Sequence, residues 1–328
     1  MIRRHTTLKN IKFLAAIISI ISLFLLAACG STNDEKAEKS NDDQTAGDSG
    51  YTIEHAMGST PIKETPKKVV ILTNEGTEAL LALGVKPVGA VQSWTGDPWY
   101  PHIADELTDV QVVGTESEVN VEAIAKLQPD LIIGNKMRQE KIYEQLSKIA
   151  PTVFAETLRG NWQENFELYA KALNKEEEGK KVINDYNQRI ADLKEKLGDK
   201  VNQKISMVRF MAGDVRIYHK DTFSGVILDQ IGFARPESQN VDDFAEKNAT
   251  KERIPAMDGD VLFYFTYETG DGEASTLEKE WINDPLFKNL NAVKEGNIQK
   301  VDDIIWNTAG GVKAANLMLD DIEKYFLK

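Results

Sequence analysis

The sequence predicts an α/β protein of two lobes, each built on a mainly parallel sheet, joined by one long helix. Three observations predict it. Short β-branched runs alternate with helical stretches along the chain. The stretch VNVEAIAKLQPDLIIG at 119–134 has a degraded echo in NATKERIPAMDGDVLFY at 248–264, and both hold a Glu two places after a cap-forming residue. Between them lies a charged amphipathic segment that spans 174–198.

In the first half the strand candidates are KKVVIL (67–72), PVGAV (87–91), the end of the 119–134 unit, and APTVFA (150–155). Strand, helix and strand in that order make a parallel sheet. Gly84 stands where a helix C-cap glycine belongs, just before the next strand. The second half offers KISMVRFM (204–211), VRIYH (215–219), the 248–264 unit and QKVDD (299–303), which reads as the same plan repeated. In the connecting segment Val182, Ile183, Tyr186, Ile190, Leu193 and Leu197 fall at helical spacing, with Asn174 and Glu177 as a capping box. Such a rod fixes the spacing of two lobes, so a small closure is expected rather than a wide hinge motion.

The ends carry separate information. Arg3, Arg4, Lys9 and Lys12 precede an apolar run from Phe13 to Ala28, the layout of a secretory signal peptide over 1–28. The run closes in Leu26-Ala27-Ala28-Cys29-Gly30, which resembles the bacterial lipobox, and Cys29 is the chain's single cysteine. A disulfide within one chain is therefore excluded, and lipidation of Cys29 is the expected use. Residues 29–50 lack large apolar side chains and are rich in Asp, Ser, Asn and Gly, so they form a flexible acidic tether. The expected layout is a first lobe over 51–173, a linking helix over 174–198 and a second lobe over 199–328. Without residues 1–28 the chain holds 35 basic against 52 acidic residues, a net charge near −17. That balance speaks against nucleic acid as a partner.

The lipobox, the acidic tether, TEALLALGVKPVG, VNVEAIAKLQPDLIIG, the single central helix and WNTAGGVKAANLMLDDIEKYF together resemble the class III substrate-binding lipoproteins of bacterial ABC importers, in their ferric-siderophore branch. The resemblance covers the whole mature chain. It implies two Rossmann-like lobes with a ligand cleft between them, and a monomer that delivers its ligand to an ABC permease dimer with its ATPase. It also implies a lipid anchor at the outer face of a cytoplasmic membrane, in a Gram-positive-type envelope. In that family one surface Glu per lobe docks on the permease, a role the resemblance gives to Glu122 and Glu252. Each also sits where its charge complements a helix N-terminus, which accounts for either one alone.

Bare ferric iron would need converging carboxylate, Tyr or His ligands. Beyond the signal segment only His55, His102 and His219 remain, and none is paired at ligand spacing. Iron is therefore expected to arrive chelated, with no metal bound directly by the protein and no cofactor. An oxygen-rich chelate suits arginine, whose planar fork donates two hydrogen bonds to one group. The loops after the strands offer Lys136, Arg138, Trp94 and Trp99 in the first lobe. The second offers Arg209, Arg216, Tyr218, Trp306 and Asn307, with Arg159 and Arg235 as weaker candidates. Arg209 alternates with Val208 and Phe210, so it points away from them, and Arg216 and Tyr218 share a face. The loop before the last helix offers Trp306, Asn307 and Thr308 where carboxylate-siderophore relatives carry several Arg. A hydroxamate or citrate-hydroxamate siderophore is therefore expected. Heme or another large chelate of cobalamin type is the alternative on the same scaffold, with Met211, His219 and Met137 as possible axial ligands. A secreted hydrolase would need a nucleophile elbow, and Thr222-Phe223-Ser224-Gly225-Val226 lacks its first Gly.

Overall fold

The computed structural model describes residues 50–327; the expected signal segment, Cys29 and the tether before Gly50 lie outside them. The described chain opens with an antiparallel hairpin that the sequence reading did not anticipate, β1 (Tyr51–His55) and β2 (Gly58–Ile62). Its polar alternation hides the signal, because only Ile53, Thr60 and Ile62 are buried in these two strands.

The first sheet comprises β3 (Val69–Ile71), β4 (Gly89–Ala90), β5 (Gln111–Val112), β6 (Leu131–Asn135) and β7 (Thr152–Ala155) in the order β5-β4-β3-β6-β7, every pair parallel. β3, β6 and β7 are buried throughout, as strands covered by helices on both faces must be. Helix Asn74–Ala82 starts at Thr73, whose hydroxyl accepts from the Gly76 N–H at 3.0 Å, and gives way at Gly84, with φ +70°.

The second sheet holds β8 (Ile205–Met211), β9 (Asp214–Tyr218), β10 (Ala245–Glu246), β11 (Val261–Tyr267) and β12 (Ile298–Lys300), in the order β10-β9-β8-β11-β12. Here the expected repetition fails. β8, β11 and β12 run parallel, but β9 runs antiparallel to β8 and β10 antiparallel to β9. Met211 pairs directly with Asp214, so Ala212 and Gly213 alone make the turn, with Gly213 at φ +68°. Two residues can close a hairpin but cannot carry a crossover helix.

The echoed units also differ in form. Val121–Leu127 is an α-helix whose cap Asn120 accepts from the Ala123 N–H at 3.0 Å. Lys251–Met257 is a 3-10 helix containing Pro255, and its cap Thr250 makes no such bond. The Pro255 ring would clash with the carbonyl four residues back, at Lys251, in an α-helix, which works against that winding here.

The linking helix runs Glu176–Leu197, 22 residues, or about 33 Å at 1.5 Å per residue. Ile183, Tyr186, Ile190, Leu193 and Leu197 form its buried stripe. The expected capping box is absent: Asn174 lies at φ +54° and its amide donates to Thr65 Oγ1 at 2.8 Å, leaving Lys175 as a cap without a side-chain bond. Glu176, Glu177 and Glu178 in the first turn complement the helix dipole instead.

The lobes share more than this rod. Helix Val312–Phe326 returns to helix Asn74–Ala82, where buried Glu78 accepts from the Ala314 N–H at 2.9 Å. Gly311 is required at this approach, since a Cβ there would lie 2.7 Å from the Glu78 side chain. The Tyr100 hydroxyl donates to the Thr308 carbonyl at 3.0 Å, a second tie between the halves.

Candidate functional site

The strand arrangement decides where a cleft can form. In open α/β sheets ligands sit beyond the carboxyl ends of parallel strands, because the loops there are free to diverge. A cavity of about 350 Å³ occupies that place between the two sheets. From the first lobe it is lined by Glu75 after β3, Trp94 after β4, Glu116 after β5, Arg138 after β6, and Leu158 and Arg159 after β7. From the second come Arg209 and Met211 on β8, Arg216 on β9, Lys247 after β10, Tyr267 at the end of β11, and Asn307 to Gly310 after β12, with Phe223 and Phe244.

On β8, Arg209 shares a face with Ile205 and Met207, opposite to Val208 and Phe210. It is buried, and its guanidinium makes a two-point bond to Asp303, Nε to Oδ1 at 2.6 Å and Nη2 to Oδ2 at 3.0 Å. Nη1 donates to the Tyr218 hydroxyl at 3.2 Å, and the group stacks 4.8 Å over Tyr267. Burial alone would pull its pKa down; Tyr218 and Asp303 outweigh that and hold it firmly protonated. Arg216 stands directly across from Arg209 on β9 and binds Asp214 Oδ2 at 2.6 Å.

In the first lobe Arg138 approaches Glu116, Nε to Oε2 at 3.6 Å, and stacks 5.6 Å over Trp94. Glu116 is buried and accepts from the Asn74 backbone and side-chain N–H groups at 2.7 and 2.9 Å. Burial raises its pKa against these bonds and Arg138. Glu75, also buried, accepts from Asn165 Nδ2 at 2.9 Å; burial pushes its pKa well above the usual carboxylate range. Among the described residues no group of three or more His, Cys, Asp and Glu is placed to hold a metal ion.

The structure thus brings Arg138, Arg209, Arg216, Trp94 and Asn307 to one cavity, and Arg159 joins them. Five other candidates are placed elsewhere. Tyr218 is fully buried between Phe244 and Phe265 and positions Arg209 without lining the cavity. Trp99 is 8% exposed within the core. Trp306 is fully buried, its ring tilted against Phe263 at 4.7 Å with its indole N–H on Asp321 at 2.9 Å. Lys136 turns outward to Glu156 at 2.8 Å. Arg235 is half-buried outside the cleft, donating to the Tyr218 carbonyl at 2.6 Å; the burial of its guanidinium brings its pKa down to about 10. Met211 lines the cavity, but His219 and exposed Met137 do not, so no axial pair for heme is assembled. Ser224 and His219 Nε2 are both buried and unbonded among the described residues, so they form no nucleophile–base pair.

Sequence reasoning missed Glu75, Glu116, Tyr267, Phe244 and Lys247. The first three follow or end strands, and the strand-end rule that selected Arg138 would have found them. Lys247 follows β10, only two residues long, which leaves no apolar run to read.

Two lobes, one linking helix and a cleft at the strand ends describe a ligand-binding receptor, and residues 69–304 match the family described as periplasmic binding protein. The chain belongs to that family. Among periplasmic binding proteins with curated descriptions it is 54% identical over 319 residues to the probable siderophore-binding lipoprotein YfiY of Bacillus subtilis, covering 95% of this chain and 98% of the relative. It is 32% identical over 314 residues to the Fe(3+)-citrate-binding protein YfmC of the same organism, covering 95% and 96%. Among solved structures, Staphylococcus aureus SirA complexed with staphyloferrin B superposes with a TM-score of 0.79 at 38% identity, over 84% of this chain and 98% of that one. The class III periplasmic-binding-protein fold expected from the sequence is therefore the fold of this chain.

Proposed function

We propose that the chain is the lipid-anchored extracytoplasmic receptor of an ABC importer and that its cleft takes a ferric siderophore of hydroxamate or citrate-hydroxamate type. The observation that carries this reading is the charge balance of the cavity. Arg209, Arg216 and Arg138 each stand beside a carboxylate, Asp303, Asp214 and Glu116. Arg159 and Lys247 have none among the described residues, and the raised pKa of Glu75 favours its neutral form. The cavity is modestly positive and walled by Trp94 and Tyr267.

A tris-hydroxamate ferric complex is neutral, a tris-catecholate strongly anionic and a citrate-hydroxamate weakly anionic, so the last matches best. The names of YfiY and YfmC, and the complex held by SirA, support an iron-chelate ligand. YfiY is described as a lipoprotein, which supports anchoring at Cys29.

The partner in this reading is the permease dimer with its ATPase, met through Glu122 and Glu252. Both are exposed. Asn120 N–H donates to the Val113 carbonyl at 2.8 Å, just past the end of β5, which puts Glu122 at the carboxyl edge of the first sheet. Ala249 N–H donates to the Val215 carbonyl at 2.9 Å, beside the carboxyl end of β8, which puts Glu252 at the matching edge of the second. The two carboxylates thus flank the cleft. Fluorescence quenching with ferric citrate-hydroxamate, hydroxamate and catecholate chelates tests the ligand class; tightest binding of the catecholate would refute the assignment.

A further inference from the structure

We infer that Arg159 and Lys247 form a subsite that grips the anionic edge of the ligand from both lobes at once and sets the charge of the chelate the cleft accepts. The inference rests on the ferric-siderophore reading and adds to it the residues that read charge.

Arg159 belongs to the first lobe, in the loop between β7 and helix Trp162–Ala172. Its guanidinium carbon lies 4.0 Å from the centre of the Phe244 ring, which belongs to the second lobe. Lys247 Nζ lies 5.5 Å from the centre of the same ring. All three line the cavity. Neither cation has a carboxylate partner among the described residues, whereas Arg138, Arg209 and Arg216 each have one.

The backbone is committed to this placement. Arg159 has φ +79°, a region that residues with side chains enter only where their surroundings hold them. The surroundings are visible at the next residue: a Cβ on Gly160 would lie 2.8 Å from Asp221 Oδ1 and 3.0 Å from Val226 Cγ2, both of the second lobe. The loop is seated against the opposite lobe, and Arg159 is aimed by that seating.

Two cations beside one ring repel each other, and the ring face attracts each without neutralising it. An anion placed against both removes the repulsion and accepts hydrogen bonds from donors that lack other partners. A neutral chelate gains neither. A purely structural stack would instead leave ligand choice unchanged.

The test measures affinities of the purified full-length chain for ferric citrate and for a neutral ferric tris-hydroxamate, in the unaltered protein and in Arg159→Gln, Lys247→Gln and Arg159→Lys. The unaltered protein is expected to prefer ferric citrate, with an affinity that falls as salt rises. Arg159→Gln and Lys247→Gln should each lower that affinity by about 10- to 100-fold and flatten the salt dependence. Their effect on the neutral chelate should stay within about twofold, and Arg159→Lys should recover part of the loss. Equal losses for both chelates, no loss for either, or a preference of the unaltered protein for the neutral chelate overturns the inference while leaving the siderophore reading in place. An unaltered protein that binds neither probe overturns the inference, and one that also fails to bind a ferric citrate-hydroxamate overturns the siderophore reading with it.

Discussion

Arg209 and Arg216 face each other across the antiparallel β8–β9 pair, two guanidinium groups in register on the side of the sheet that meets the cleft. Like charges directly opposite destabilise a strand pair. Here each is held by its own carboxylate, Asp303 for Arg209 and Asp214 for Arg216. The antiparallel turn that breaks the sheet's repetition is what sets the two arginines opposite each other.

This geometry separates their roles. Arg209→Gln strands a buried Asp303 and should cost about 3–5 kcal/mol of stability. Arg216 is 21% exposed in its side chain, so Arg216→Gln should cost no more than about 1 kcal/mol. Urea unfolding of the two variants measures both. For the ligand, Arg216→Gln should weaken binding by about 1.5–3 kcal/mol where it donates to a charged oxygen; an unchanged titration would remove Arg216 from the contact set.

Glu75 gives the cleft a pH signature. Burial raises its folded-state pKa well above 4.5, while the Asn165 and Tyr169 bonds oppose the shift. From about pH 4.5 up to that raised value the native state holds more protons than the unfolded chain, so stability falls as pH rises. The slope in this window is about 1.4 kcal/mol per pH unit. Glu75→Gln should abolish that component, so the variant gains on the unaltered protein between acid and neutral pH. Parallel stability curves for the two proteins would show that Glu75 does not titrate in this way.

How much of this was legible in the sequence follows from what each signal reports. The central strands were readable because burial on both faces writes uninterrupted runs such as LIIG. The linking helix was readable from its stripe, but its cap was not, because Asn174 turns to Thr65, 109 residues away. Arg138, Arg209 and Arg216 were found because charge inside or just after a strand is conspicuous. Trp99, Trp306 and Tyr218 were misplaced because a large aromatic at a strand end fits either the cleft wall or the core, and only the packing of Phe263 against Trp306 and of Phe244 against Tyr218 decides. Lys247 and Phe244 depend on a loop path that carries no periodicity.

Glu122 and Glu252 are exposed and line no part of the cavity. Changing both to Ala should therefore leave ligand affinity within about twofold while abolishing iron-chelate uptake in cells. Stability should fall by no more than about 2 kcal/mol, about 1 for each charge lost from a helix N-terminus. A large loss of affinity would place them in the binding site and remove the docking assignment.

The central claim is that the cleft between the sheets binds a ferric siderophore. Of five tryptophans, Trp94 is the one that lines the cavity. The most direct measurement is a tryptophan-fluorescence titration with a ferric citrate-hydroxamate siderophore, run in parallel on Trp94→Phe and accompanied by an absorption spectrum with heme. Saturable quenching in the unaltered protein, most of it lost in Trp94→Phe, with no shifted Soret band, is the predicted result. No quenching by any ferric siderophore together with a shifted Soret band would contradict it.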